Sequence, residues 1–204
     1  MKIGIYIDDT IADTFETGMK YAEIFTKEYC HRNYTNIDRR LGNIKSHRHW
    51  QEIFEWNAEE EQEFFKMYYE KITKEVNLKE EVLDVVGKLY PENELFFITA
   101  RFETKECNIE ELTKKWLEEN QVPYHQLYLG RKKSEVCQEN NIDIFIDDSY
   151  ENCKSVQMVN TKAYLMDHIT NRNIEDKSIE RVYGWKDLYK KLKEYEEGKA
   201  NGNN

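Results

Sequence analysis

Ile3-Gly4-Ile5-Tyr6-Ile7-Asp8-Asp9-Thr10-Ile11-Ala12-Asp13-Thr14 is the stretch on which the fold turns. Ile3 to Ile7 is a short apolar run that stops at carboxylates, the pattern of a strand covered on both faces. Strands of that kind belong to parallel, helix-flanked sheets, which bind their ligands beyond the carboxyl ends of the strands. Asp8, Asp9, Thr10 and Asp13 stand where that end falls. Acids there suit a hard cation, and a hydroxyl suits a phosphate oxygen.

Outward from this strand, apolar runs of similar length recur at Leu95–Ile98, Gln126–Leu129, Ile142–Ile146, Ala163–Met166 and Arg181–Tyr183. Helical periodicity fills the intervals at Lys79–Tyr90, Thr104–Asn120, Ser134–Asn140 and Trp185–Tyr195. The alternation predicts an α/β fold with a parallel Rossmann-like sheet, built from residues 1–13 and 78–196. Residues 14–77 break the rhythm. They hold no strand pattern but many aromatics, among them Phe15, Phe25, Trp50, Trp56 and Phe64, and predict a helical cap inserted after the first strand. Glu59-Glu60-Glu61 marks a helix start, where acids meet the positive end of the dipole. Residues 197–204 are polar and predict a frayed tail.

With 39% hydrophobic residues, the 204-residue chain can bury a real core. Its net charge of −10 argues against a nucleic-acid polymer as partner, because a phosphate backbone needs a basic face. No apolar run approaches the ~18 residues of a membrane span. Met1-Lys2-Ile3 leads into a strand without a signal-peptide core, and Cys30, Cys107, Cys137 and Cys153 are scattered. Both point to a reducing cytoplasm.

Four groups of polar residues follow predicted strands: Asp8-Asp9-Thr10, Thr99-Ala100-Arg101, Lys133, and Asp147-Asp148. Together they supply acids for Mg²⁺, a hydroxyl and amides for phosphate oxygens, and a lysine for the remaining charge. Phosphoryl transfer asks for those parts. In this order they resemble the haloacid dehalogenase (HAD) superfamily of phosphohydrolases. Ile98-Thr99-Ala100-Arg101 and Ile146-Asp147-Asp148-Ser149 are most similar to its 5'(3')-deoxyribonucleotidase branch and the related bacterial nucleotidases, which carry a helical cap.

The resemblance implies a Mg²⁺-dependent phosphomonoester hydrolase of nucleotidase type, acting on a small phosphorylated substrate such as a nucleoside monophosphate. It implies that Asp8 is the general acid–base and offers its carbonyl to Mg²⁺, with Asp147 and Asp148 holding or orienting the metal. Thr99, Ala100, Arg101 and Lys133 would take the phosphate. Thr10, His47 and Trp50 are candidate substrate contacts. His47 and His49, two residues apart, fall on different sides of a helix and do not form a metal pair. Asp13 suits a helix cap.

The nucleophile, ordinarily the first aspartate of the motif, falls on Tyr6. The family pattern places a threonine four residues after the nucleophile and, in this branch, an aspartate at seven. Counted from Tyr6 these are Thr10 and Asp13; counted from Asp8 they would be Ala12 and Phe15. The first frame is the one the chain keeps. A phenol with an ordinary pKa of about 10 is a poor nucleophile at neutral pH. Losing the aspartate is worth up to about 10⁶ in rate, or ~8 kcal/mol. Removing a negative charge that faces the substrate also favours phosphate binding. Two expectations stand: a nucleotidase with weak or absent turnover, or a non-catalytic nucleotide- or phosphate-binding protein on the same scaffold.

Overall fold

Six strands make one sheet in the computed structural model, which describes residues 1–33, 49–104, 107–200 and 202. They are β1 (Lys2–Ile5), β2 (Glu94–Thr99), β3 (Gln126–Leu129), β4 (Ile144–Asp147), β5 (Lys162–Met166) and β6 (Glu180–Val182), in the order β3-β2-β1-β4-β5-β6. Every pairing is parallel. The helices are α1 (Thr14–Glu28), α2 (His49–Phe54), α3 (Ala58–Glu75), α4 (Val82–Leu89), α5 (Ile109–Glu119), α6 (Lys133–Asn140), α7 (Tyr150–Gln157) and α8 (Trp185–Ala200).

The first strand is central because its side chains are apolar on both faces. Ile3 and Ile5 join Leu95, Phe97, Ile144 and Ile146 in a core closed by α4, α5 and α8. The opposite face sets Phe96, Ile98 and Phe145 against Val136 and Cys137 of α6 and Cys153 and Val156 of α7. Burial of each such large apolar side chain contributes about 1.5–3 kcal/mol. Gly4 sits at the tightest point, where a Cβ would lie 2.8 Å from Cδ2 of Phe145. The chain turns one way from β1 to β2 and β3, and the other way to β4, β5 and β6. A crevice therefore opens beyond the carboxyl end of β1.

Over that crevice, α1, α2 and α3 share their own aromatic core of Phe15, Phe25, Trp50, Phe54, Trp56 and Phe64. Asn57 begins α3 with a capping box: its side chain accepts from the N–H groups of Glu59 and Glu60, and the Glu60 carboxylate accepts from its own N–H. Trp116 of α5 donates its indole N–H to the Val76 carbonyl at 2.8 Å, tying the end of α3 to the sheet layer.

Three boundaries differ from expectation. The last helix does not stop near Tyr195 but runs to Ala200, where Lys199 reaches the Asp143 carboxylate at 2.8 Å. Helix α7 has no counterpart among the expected elements. Strand β4 starts at Ile144, because Asn141 before it is left-handed, with φ 51°. All four cysteines are free, Cys137 and Cys153 buried and the other two half-buried.

Candidate active site

The loop after β1 is wound around one carbonyl. Ile7 O accepts from the N–H groups of Thr10, Ile11 and Ala12, and the Tyr6 N–H still donates to Ile146 O at 2.9 Å. The turn forces Asp9 to φ 59°, a left-handed conformation that glycine adopts more cheaply. Asp8 and Asp9 consequently leave the loop in different directions.

Asp8 faces β2. Its carboxylate accepts from Arg101 Nε at 3.1 Å and Nη2 at 2.8 Å, from Thr99 Oγ1 at 3.1 Å and from Thr14 Oγ1 at 2.8 Å. Burial alone would raise its pKa, but the Arg101 charge and these hydrogen bonds hold it below the usual carboxylate range. Arg101 is only 4% exposed, and its Nη1 donates to Thr113 Oγ1 at 3.2 Å. The Arg101 N–H donates to Thr99 Oγ1 at 3.1 Å, so these two residues act as one unit.

Lys133 opens α6 beneath the other flank, with Nζ 5.0 Å from the centre of the Tyr6 ring. Burial lowers its pKa, against the pull of the Asp147 and Asp8 charges. The Tyr6 phenol is pushed well above its ordinary value, first by burial and then by the negative charges of Asp8, Asp147, Asp148 and Asp9. Asp147 is fully buried and accepts from Ser149 N–H at 2.8 Å and Asn152 Nδ2 at 2.9 Å. Burial carries it up to about 7.

Asp148 follows Asp147 in the chain and has partners of its own. Its Oδ1 accepts from Thr10 Oγ1 at 3.4 Å, and its backbone carbonyl accepts from the buried Asn171 at 2.8 Å. Asp9 approaches from β1 and His168 from the loop after β5, so Asp9, Asp148 and His168 form a group that could hold a metal ion. Asp9 and Asp148 both have raised pKa values, chiefly through burial, with the Asp148 charge acting on Asp9 and the Asp147 charge on Asp148.

A cavity of about 520 Å³ opens between this floor and the helices above, within the size range of small-ligand sites. Tyr6, Asp8, Asp9, Ala100 and Arg101 form its polar end; Phe65, Tyr69 and Phe102 line its aromatic side, with Trp50 and Glu61. Tyr69 and Phe102 stack at 5.3 Å.

Of the expected site residues, Tyr6, Asp8, Ala100, Arg101 and Trp50 line the cavity; Thr99, Lys133, Asp147 and Asp148 do not, although Thr99 bonds to Asp8 and Lys133 lies over the Tyr6 ring. Thr10, named as a candidate substrate contact, is likewise set back from the cavity. It is fully buried and does not line the cavity, and its carbonyl accepts the Trp185 indole N–H at 3.0 Å. Trp50 reaches the cavity but is also wedged against Phe15 at 5.2 Å and Phe64 at 5.7 Å. His47 lies outside the described residues. Asp13 begins α1 without a side-chain cap and lies 4.0 Å from Lys79. Sequence reasoning passed over Thr14, His168 and Asn171. The last two follow a predicted strand, the one signal that could have found them.

A family model described as "5' nucleotidase, deoxy (Pyrimidine), cytosolic type C protein" matches residues 1–195. A nucleotidase of Clostridium acetobutylicum is 32% identical over 133 residues, 64% of this chain and 67% of that protein. A candidate nucleotidase of Halalkalibacterium halodurans is 30% identical over 190 residues, 90% of this chain and 88% of it. Among solved structures, a haloacid dehalogenase-like hydrolase from Streptococcus pneumoniae superposes with a TM-score of 0.65 at 12% identity, covering 94% of this chain and 97% of that one. A HAD-hydrolase candidate from Bacillus subtilis, in a form bound to magnesium, gives 0.63 at 14% identity, covering 94% and 97%. The likeness to both is one of fold.

Proposed function

The chain belongs to the cytosolic type C 5' nucleotidase family of the HAD superfamily, and from that premise we propose that it takes a nucleoside monophosphate into the 520 Å³ cavity with its hydrolase chemistry weakened or lost at Tyr6. What supports this reading is the Asp8–Arg101 pair, with Thr99 bonded to Asp8, at the polar end of a cavity walled by Phe65, Tyr69 and Phe102. Arg101, the Thr99 hydroxyl and Lys133 offer donors for phosphate oxygens. The wall offers flat apolar surface for a base. The helices of residues 14–77 act as the cap that closes over the substrate, and the setting is cytoplasmic.

Asp8 is placed to give a proton to the leaving oxygen and take one from water, once phosphate displaces it from Arg101. In the metal's favour, the donors at the ends of β1 and β4 are all hard oxygens: the Asp147 and Asp148 carboxylates and the Asp8 carbonyl. They would hold Mg²⁺, which when bound neutralises charge on the transferring phosphoryl group.

The test is a phosphatase screen over nucleoside monophosphates, with and without Mg²⁺, on the wild type and Tyr6→Asp. The aspartate variant is expected to hydrolyse at least one of them in a Mg²⁺-dependent way. A variant inert on every substrate would overturn the nucleotidase reading.

A second reading, a non-catalytic nucleotide- or phosphate-binding protein, is favoured by the Tyr6 phenol itself, whose raised pKa removes it as a nucleophile while Lys133 stays in place. Calorimetry decides it. Absence of nucleotide binding at millimolar concentration rules it out.

A further inference from the structure

We propose that Asp9, Asp148 and His168 form a divalent transition-metal site beside the phosphate pocket, one that takes Mn²⁺, Co²⁺ or Zn²⁺ in preference to Mg²⁺. It shares Asp148 with the Mg²⁺ ligands named above, and to that extent rests on the same reading. Asp9 and His168 are outside that ligand set.

The three side chains come from three strand ends and converge on one point. His168 Nε2 lies 4.0 Å from Asp9 Oδ1, and His168 Nδ1 lies 3.9 Å from Asp148 Oδ2. One ligand atom from each residue falls within 4.8 Å of the other two. Two ligands bound at about 2.0–2.2 Å lie roughly 3–4 Å apart, so closing on an ion asks for a contraction on the order of an ångström. The side chains are 12–15% exposed, which leaves an approach for an ion from solvent.

The ligands are held from outside the cluster. Asn171, 2% exposed, donates to the Asp148 carbonyl and to Met166 O, both at 2.8 Å, and accepts from the His168 N–H at 3.2 Å. One buried amide thereby fixes two of the three ligands. His168 Nδ1 is 2.8 Å from Thr170 Oγ1, and Nε2 is on the side of Asp9. That is the outer support a metal-bound imidazole ordinarily has. Phe15 meets the imidazole edge-on at 5.3 Å, and its N–H donates to Asp9 Oδ1 at 2.7 Å.

The chemistry selects the ion. Mg²⁺ prefers oxygen ligands and keeps its waters, whereas an imidazole nitrogen beside two carboxylates suits first-row transition ions. The strained Asp9 gains a purpose here, since a glycine at φ 59° would offer no carboxylate.

The test uses the chelator-stripped full chain without nucleotide. Co²⁺ and Mg²⁺ are titrated by calorimetry, and the Mn²⁺-loaded protein is examined by pulsed EPR for nitrogen hyperfine coupling. One equivalent of Co²⁺ is expected, bound about tenfold or more tighter than Mg²⁺. His168→Ala is expected to cost about tenfold or more in Co²⁺ affinity while leaving Mg²⁺ affinity within about twofold. Absence of Co²⁺ binding at millimolar concentration, unchanged Co²⁺ affinity in His168→Ala, or absence of nitrogen coupling would overturn the site. If His168→Ala does not fold, as read by circular dichroism, the nitrogen coupling of the wild type decides. An inert Tyr6→Asp enzyme leaves these results untouched, and their failure leaves the nucleotidase reading standing.

Discussion

Arg101 grips Asp8 with two nitrogens, Nε at 3.1 Å and Nη2 at 2.8 Å, so the arginine poised for a phosphate already holds a carboxylate. The acid–base candidate thus occupies its own neighbour's anion site. On the proposed reading, substrate phosphate would displace Asp8 and free it as Arg101 is engaged.

Arg101→Met therefore strands a carboxylate in a nearly closed site. The expected loss is about 3 kcal/mol in urea denaturation. Adding Asp8→Asn should recover most of it, because the double variant buries no lone charge. A double variant as unstable as the single would refute the coupling.

Tyr6→Phe is expected to leave any residual turnover within about threefold of wild type, and Tyr6→Asp to raise it by roughly 10³ or more. The contrast follows from the phenol's raised pKa, which keeps it protonated. Steady-state hydrolysis of the same nucleotide by all three proteins checks it. Loss of turnover in the phenylalanine variant would make the phenol the nucleophile.

Lys133→Met should weaken binding of inorganic phosphate by about ten- to a hundredfold, the worth of one charge-assisted contact. The ammonium lies 5.0 Å from the centre of the Tyr6 ring, and Tyr6 lines the cavity. Calorimetry on the wild type and the variant is the measurement. Equal affinities would remove Lys133 from the site.

Gly18→Ala should destabilise the protein by roughly 1–3 kcal/mol, although alanine favours helix. A Cβ at position 18 would stand 2.7 Å from Cη2 of Trp50, which Phe15 and Phe64 hold in place. Thermal melts and a change in tryptophan fluorescence report the displaced indole. A variant as stable as wild type would show that the indole has room to move.

Asp176→Asn should lower the melting temperature at neutral pH and converge with wild type in acid. Asp176 accepts from the Tyr150 hydroxyl and from Ser178, bonds that hold its pKa near 2. A depressed carboxylate stabilises the fold above about pH 4 and loses that contribution as pH falls through its folded value. Melting curves of both proteins between pH 7 and pH 2 show it. A gap that stays constant would refute the assignment.

Much of this was legible in the chain because strand ends are marked by abrupt changes from apolar to charged. Ile7-Asp8, Ile98-Thr99 and Ile146-Asp147 each announce a position on the sheet edge before any geometry is known. Lys133 was singled out because it follows the apolar run Gln126–Leu129, and the structure makes it the first residue of α6. The grip of Arg101 on Asp8 was not legible, since 93 residues separate the partners and only packing aligns them. His168 was hidden in a polar loop whose shape depends on Asn171, a buried amide that no periodicity marks. The extent of α8 was equally remote, as its last turn is pinned through Lys199 to Asp143. Thr10 misled because a hydroxyl beside two acids suggests a ligand contact, whereas the loop turns it inward to Asp148.

The Tyr6 backbone keeps its bond to Ile146 whatever side chain it bears. Codons for tyrosine and aspartate differ only in their first base. One transversion would place a carboxylate in the pocket without removing that backbone bond. A single nucleotide thus separates the phenol from an acid at the point where β1 meets the pocket.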